Sequence, residues 1–91
     1  MTRSRRELVV APSAERSLAR LPGKAAAAVV EFMVGPLTED PKRVGHRLRE
    51  ELEGRWAARR GPYRVDYEIE ERAREVRVLR IDHRADVYRP R

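Results

Sequence analysis

Three arginines, Arg55, Arg59 and Arg64, bracket a Gly61-Pro62 pair, and the chain just before them is richer still in cations. Residues 42 to 60 carry Lys42, Arg43, Arg47, Arg49, Arg55, Arg59 and Arg60 against only Glu50, Glu51 and Glu53. Such a local excess of positive charge attracts polyanions, nucleic acid first among them. A guanidinium stays protonated at any physiological pH and can hold two phosphate oxygens at once. Other chemistries lack their residues. The chain has no cysteine, no Gly-rich phosphate loop, no His-x-x-x-His and no Gly-x-Ser-x-Gly, so neither a covalent nucleophile of those kinds nor a metal or cofactor site is implied. The two histidines, His46 and His83, are far apart in sequence. What remains is arginine, tyrosine and histidine chemistry, which suits a phosphate.

The whole chain agrees with that direction. It has 91 residues, a formal charge of +6 and 40% charged residues, so residues 1–91 are expected to form one domain. Of the basic residues 19 are Arg and 2 are Lys, a bias that a GC-rich genome alone can produce. The hydrophobic fraction is 41%, but 11 of those residues are alanine. The core is therefore thin, and a gain in stability on binding a partner is expected. Absence of cysteine fits a reducing cytoplasm. No window approaches the roughly 18 apolar residues of a membrane span, and Met1–Arg6 has no apolar signal-peptide region.

The elements that must position the arginines can be read from periodicity. Glu7 to Val10 is short and β-branched and reads as a strand that Ala11-Pro12-Ser13 ends. Ser13 suits a helix N-cap, and Ala14, Leu18 and Leu21 follow at helical spacing. A second helix starts near Pro22 or Lys24, runs through Ala25–Ala28, Val29, Phe32 and Met33, and weakens at Gly35-Pro36. Thr38 to Gly45 reads as a turn-rich connector, and His46 to Glu53 is ambiguous.

Tyr63, Val65, Tyr67 and Ile69 alternate with Arg64, Asp66, Glu68 and Glu70, the period of a half-buried strand. Gly61-Pro62 before it can be a two-residue hairpin turn, because Gly accepts positive φ and Pro fixes the next φ. That turn pairs Arg60 with Tyr63, Arg59 with Arg64, Ala58 with Val65 and Trp56 with Tyr67, which places Trp56 and Tyr67 in the core. Arg55, Arg59 and Arg64 then converge on the other face. Two arginines directly opposite repel unless an anion sits between them. A further strand over Glu75 to Ile81, with apolar residues on both faces, completes an α+β pattern: an N-terminal strand and a two-helix hairpin on one face of a mainly antiparallel sheet of about four strands.

In this order Ala14-x-x-x-Leu18-x-x-Leu21-Pro22, Gly35-Pro36-Leu37, Leu52-Glu53-Gly54, Arg59-Arg60-Gly61-Pro62-Tyr63-Arg64-Val65-x-Tyr67 and His83-Arg84-x-x-Val87-Tyr88 resemble the RelE/ParE toxin superfamily over nearly the whole chain. The motifs are similar to those of actinobacterial RelE-type messenger RNA interferases. The resemblance implies a cytoplasmic toxin, neutralised by a cognate antitoxin, that cuts messenger RNA in the ribosomal A site without a metal. A gyrase-inhibiting, ParE-like toxin and a catalytically weak nucleic-acid-binding member are the alternatives.

By the same resemblance Arg64 and Arg84 contact the scissile phosphate, and Tyr88 is a base or a base-stacking group. His83 could transfer protons, its reference pKa being about 6.5. Arg55, Arg59, Arg60, Arg47 and Arg49 would bind RNA. Arg55, Arg59, Arg64, His83, Arg84 and Tyr88 are expected to form one basic site on the uncovered face. Ala57 departs from the family pattern, in which a lysine base often occupies this strand, so the base falls to Tyr88 or His83 or turnover is slow.

Overall fold

The computed structural model describes residues 5–48 and 54–83. Its sheet is built on the alternating run, which forms β4 (Tyr63–Glu70). Upstream of it lie β1 (Glu7–Val10), α1 (Pro12–Arg20), α2 (Gly23–Phe32), α3 (Pro41–Val44), β2 (His46–Arg47) and β3 (Arg55–Arg60), and β5 (Glu75–His83) follows. The sheet order is β1-β5-β4-β3-β2. Only β1 runs parallel to its neighbour, β5; the other pairings are antiparallel. The helices pack on one face, and the α+β layout is as expected except that the sheet has five strands rather than about four. The extra strand is β2, two residues long, too short to show any periodicity.

The β3–β4 hairpin has the register the turn dictates: Arg60 opposite Tyr63, Arg59 opposite Arg64, Ala58 opposite Val65 and Trp56 opposite Tyr67. Gly61 supplies the positive φ, at 60°. Val65, Tyr67, Val76, Val78 and Ile81 from the sheet meet Val29, Phe32, Met33, Leu37 and Ala14 from the helical layer, and all are buried. Burying branched and aromatic side chains of this size contributes about 1.5–3 kcal/mol each. Trp56 stacks on Tyr67 with ring centroids 6.5 Å apart, so Tyr67 is core and the half-buried Trp56 packs against the core, on the helix-covered face as expected.

Two local readings are corrected and a third is refined. Ser13 is not the N-cap of α1: Ala11 is, and Pro12 occupies the first turn, where its missing N–H costs nothing. The second helix weakens around Gly35-Pro36 as expected: regular α2 ends at Phe32 and the chain passes through a π-helical turn, Met33–Leu37, that carries Pro36 inside it. The connector over Thr38 to Gly45 contains α3, begun by Pro41.

That helical turn is fastened from two sides. The Tyr67 hydroxyl donates a 2.6 Å hydrogen bond to the Pro41 carbonyl. Glu71, in the β4–β5 turn, pairs with Lys42 at 2.7 Å and with Arg6 at 3.2 Å. Hydrogen bonds from those two cations, aided by their charges, hold the Glu71 carboxyl below its usual pKa.

Candidate nucleic-acid interface

The face of the sheet away from the helices is crossed by rows of charged side chains set by strand pairing. One row is Arg59, Arg64 and Asp82, the next His46, Ala57, Asp66 and Arg80, and the third Arg55, Glu68 and Arg77. Beyond them Glu70 lies opposite Glu75, which is level with Glu7. The Arg59 row and the Arg55 row each carry one cation in excess, Asp66 balances Arg80 between them, and the Glu70–Glu75 end holds only carboxylates, so an anion is drawn toward the arginine rows and away from that end.

Within the rows most arginines have acidic neighbours. Arg64 donates from Nε to Oδ1 of Asp66 at 2.7 Å, and its side chain is 34% exposed against 14% for Asp66. Arg80 Nε lies 3.3 Å from Asp82, Arg77 3.0 Å from Glu75, and Arg55 3.9 Å from Glu68. Among the described residues Arg59 has no carboxylate partner within ion-pair distance. An incoming phosphate would meet Arg59 and the terminal nitrogens of Arg64.

A bulge decides which residues of β5 share this face. Asp66 is level with Arg80 and Tyr67 with Val78, leaving Leu79 as the extra residue. Val78 and Ile81 can thus both enter the core, while Arg80 and Asp82 are turned out beside Asp66 and Arg64.

The bulge also separates residues expected to act together. His83 lies opposite Tyr63, on the helix side, with the two rings perpendicular and their centroids 5.2 Å apart. It lines a cleft with Ser17, Arg20 and Leu21 of the helical hairpin. The expectation of a single site on the uncovered face is corrected here: successive strand residues alternate, so His83 cannot share the face of Arg64. Arg60 is opposite Tyr63, as the turn register requires, and so lies on the helix side; together with Arg59 it lines a groove with Glu31, Phe32 and Pro36 of the helical layer. Arg47, opposite Trp56, lies on the helix side of the edge strand. Arg55, Arg59 and Arg64 share the open face as expected. Arg49, Arg84 and Tyr88 lie outside the described residues.

Asp66, Arg80, Asp82 and His46 on this face escaped the sequence reading. Asp66 could have been found, since it shares the polar phase of β4 with Arg64; Arg80 and Asp82 could not, because their face depends on the bulge. Among the described residues no three His, Asp or Glu side chains come together to hold a metal ion.

The family model of the ParE toxin of type II toxin-antitoxin systems matches residues 8–88. The chain is a toxin of the RelE/ParE superfamily. Two curated relatives of this superfamily come from Mycobacterium tuberculosis. Toxin RelG is 52% identical over 77 residues, 85% of this chain and 88% of the relative. Toxin RelE is 46% identical over 82 residues, 90% of this chain and 84% of the relative. The RelE/ParE fold is matched in the crystal structure of the RelBE2 toxin-antitoxin complex from the same organism, with TM-score 0.85 and 44% identity over 89% of this chain and 100% of that one. The intact Escherichia coli RelBE complex shares the fold alone, with TM-score 0.72 and 16% identity over 86% of this chain and 95% of that one.

Proposed function

We propose that this toxin is a ribosome-dependent endoribonuclease that cleaves messenger RNA in the A site without a metal. The observation that carries the reading is the direct cross-strand pairing of Arg59 with Arg64 on the open face. Arg59, which has no carboxylate partner among the described residues, faces Arg64, which Asp66 only partly neutralises; two such cations repel in the free protein and are favourable around a phosphate. The likeness in sequence to toxins RelG and RelE supports the same class of activity.

Cleavage of this kind sends the ribose 2′-oxygen onto the adjacent phosphorus and expels the 5′-oxygen, leaving a 2′,3′-cyclic phosphate. The dianionic phosphorane between them needs fixed positive charge. Arg59 and Arg64 supply it here, and Arg84 adds to it. Proton removal falls to Tyr88, since His83 lies on the helix side, away from the face of Arg64. Arg55, on the open face one row further in, and Arg60, Arg47 and Arg49 contact the RNA backbone outside the scissile linkage. Each phosphate so neutralised makes binding more salt-sensitive.

The toxin would act in the cytoplasm and be held inactive by a cognate antitoxin, as relatives solved as toxin-antitoxin complexes are paired with theirs. Mapping RNA ends after induced expression tests the reading. Cuts within translated codons are the expected result. Intact messages with blocked DNA supercoiling would instead establish a gyrase-directed activity, the second reading, which the match to the ParE family model favours.

A further inference from the structure

Asp66 stands at the centre of the open face, in contact with the arginine on which the proposed cleavage depends. Its carboxylate accepts the Nε proton of Arg64 at 2.7 Å. A guanidinium can meet an oxyanion along the edge that includes Nε or through its two terminal nitrogens. With the Nε position taken, only the terminal pair is left to form a fork. Asp66 has 14% of its side chain exposed, so the acceptor is fixed where most surface carboxylates are mobile.

The neighbours explain why it stays there. Across the ladder on one side is Ala57, buried and without atoms beyond Cβ to compete for the carboxylate. On the other side is Arg80, which makes its ion pair with Asp82 instead. Asp66 is therefore left to Arg64. A carboxylate this close to a phosphate-binding cation lowers the local positive charge, and a lone ion pair near the surface contributes little to stability. What it does contribute is orientation: Arg64 has several rotatable bonds, and a fixed acceptor removes most of their freedom before substrate arrives.

We propose that Asp66 is a positioning residue for RNA cleavage, holding the Nε side of Arg64 so that its terminal nitrogens face the scissile phosphate. This rests on the nuclease reading above. The test is cleavage of a defined message by the purified toxin in a reconstituted translation reaction, comparing wild type, Asp66→Ala, Asp66→Asn, Arg64→Ala and the Arg64→Ala/Asp66→Ala double variant, each checked for folding by thermal melting. Asp66→Ala should slow the cleavage step roughly ten- to a hundredfold, with half-saturating ribosome concentration little changed. Asp66→Asn should recover most of the rate, because the amide oxygen still accepts from Nε but cannot take a proton from the 2′-hydroxyl. The double variant should be no slower than Arg64→Ala.

Three results would overturn the assignment: full activity in Asp66→Ala; loss in Asp66→Asn as deep as in Asp66→Ala, which would make Asp66 itself the base; or additive losses in the double variant. Absence of cleavage by the wild type would count against the nuclease reading, and is distinguishable from all three.

Discussion

The hydroxyl of Ser13, on the first turn of α1, donates a 2.6 Å hydrogen bond to the carbonyl of Leu79. Leu79 is the bulged residue of β5, at the point where the register against β4 shifts. A helix side chain thus satisfies the irregularity that turns Arg80 and Asp82 onto the open face and His83 away from it. Ser13→Ala should remove the bond and leave a partly buried carbonyl without its donor, at a cost of about 1–3 kcal/mol. Urea denaturation should show a lower midpoint with an unchanged slope. A wild-type midpoint would mean that the bulge stands without Ser13.

How much of the molecule could be read in advance follows from the same bulge. The β3–β4 hairpin was legible pair by pair, because strict alternation and a Gly-Pro turn leave one register. So was the place of Trp56 and Tyr67 on the helix-covered face. Past Leu79 the period-two rule slips by one residue, and the run Val76, Val78, Leu79, Ile81 looks like a strand apolar on both faces when its buried members share one. His83 was misplaced for that reason and because it was grouped with its neighbour Arg84. β2 and α3 were missed because elements of two and four residues carry no periodic signal. Alternation puts Asp66 on the face of Arg64, but how deeply Asp66 is seated depends on the packing of strands on both sides.

Burial pushes the Tyr67 hydroxyl well above its usual pKa, because the phenolate would have to sit in the core. For an acid whose folded pKa is raised, the unfolded chain ionises first. The contribution of Tyr67 should therefore be intact below about pH 10 and decline as pH rises above it. Tyr67→Phe should abolish that alkaline decline while lowering stability at neutral pH by about 1–3 kcal/mol, since the Pro41 carbonyl loses its donor. Denaturation midpoints of both proteins at pH 7 and above pH 10 provide the check. Equal slopes against pH would mean that Tyr67 is hydrated.

Gly45 lies where α3 passes into β2. A Cβ there would collide with the Tyr67 hydroxyl and come within 2.6 Å of the Ala57 carbonyl. Its φ of −137° is open to any residue, so the restriction is close approach and not backbone conformation. Gly45→Ala should cost about 1–3 kcal/mol. Adding Tyr67→Phe to it should recover part of the loss, because one of the two obstacles is removed and the backbone carbonyl remains. Double-mutant thermal melts measure this coupling; simple additivity would place the strain elsewhere.

Arg59 and Arg64 face each other across the hairpin, and the two members of the pair should respond differently to removal. Arg59→Ala relieves the repulsion while leaving Arg64 tied to Asp66, so the free toxin should become slightly more stable, by about 0.2–1 kcal/mol at low salt. The gain should shrink in high salt as ions screen the pair. Cleavage should nonetheless fall, because the same charge stabilises the phosphorane. Arg64→Ala should lower cleavage by roughly a hundred- to a thousandfold, the scale seen when one donor to a developing oxyanion is lost. Arg64→Lys should rescue it poorly, because an ammonium cannot bond Asp66 and still present a two-pronged fork to phosphate. Thermal melts at two salt concentrations, set beside cleavage rates for the three variants, separate these effects. Destabilisation by Arg59→Ala at low salt would show that its aliphatic stem packs against Phe32 and Pro36 in the neighbouring groove, and that packing there outweighs repulsion across the strands.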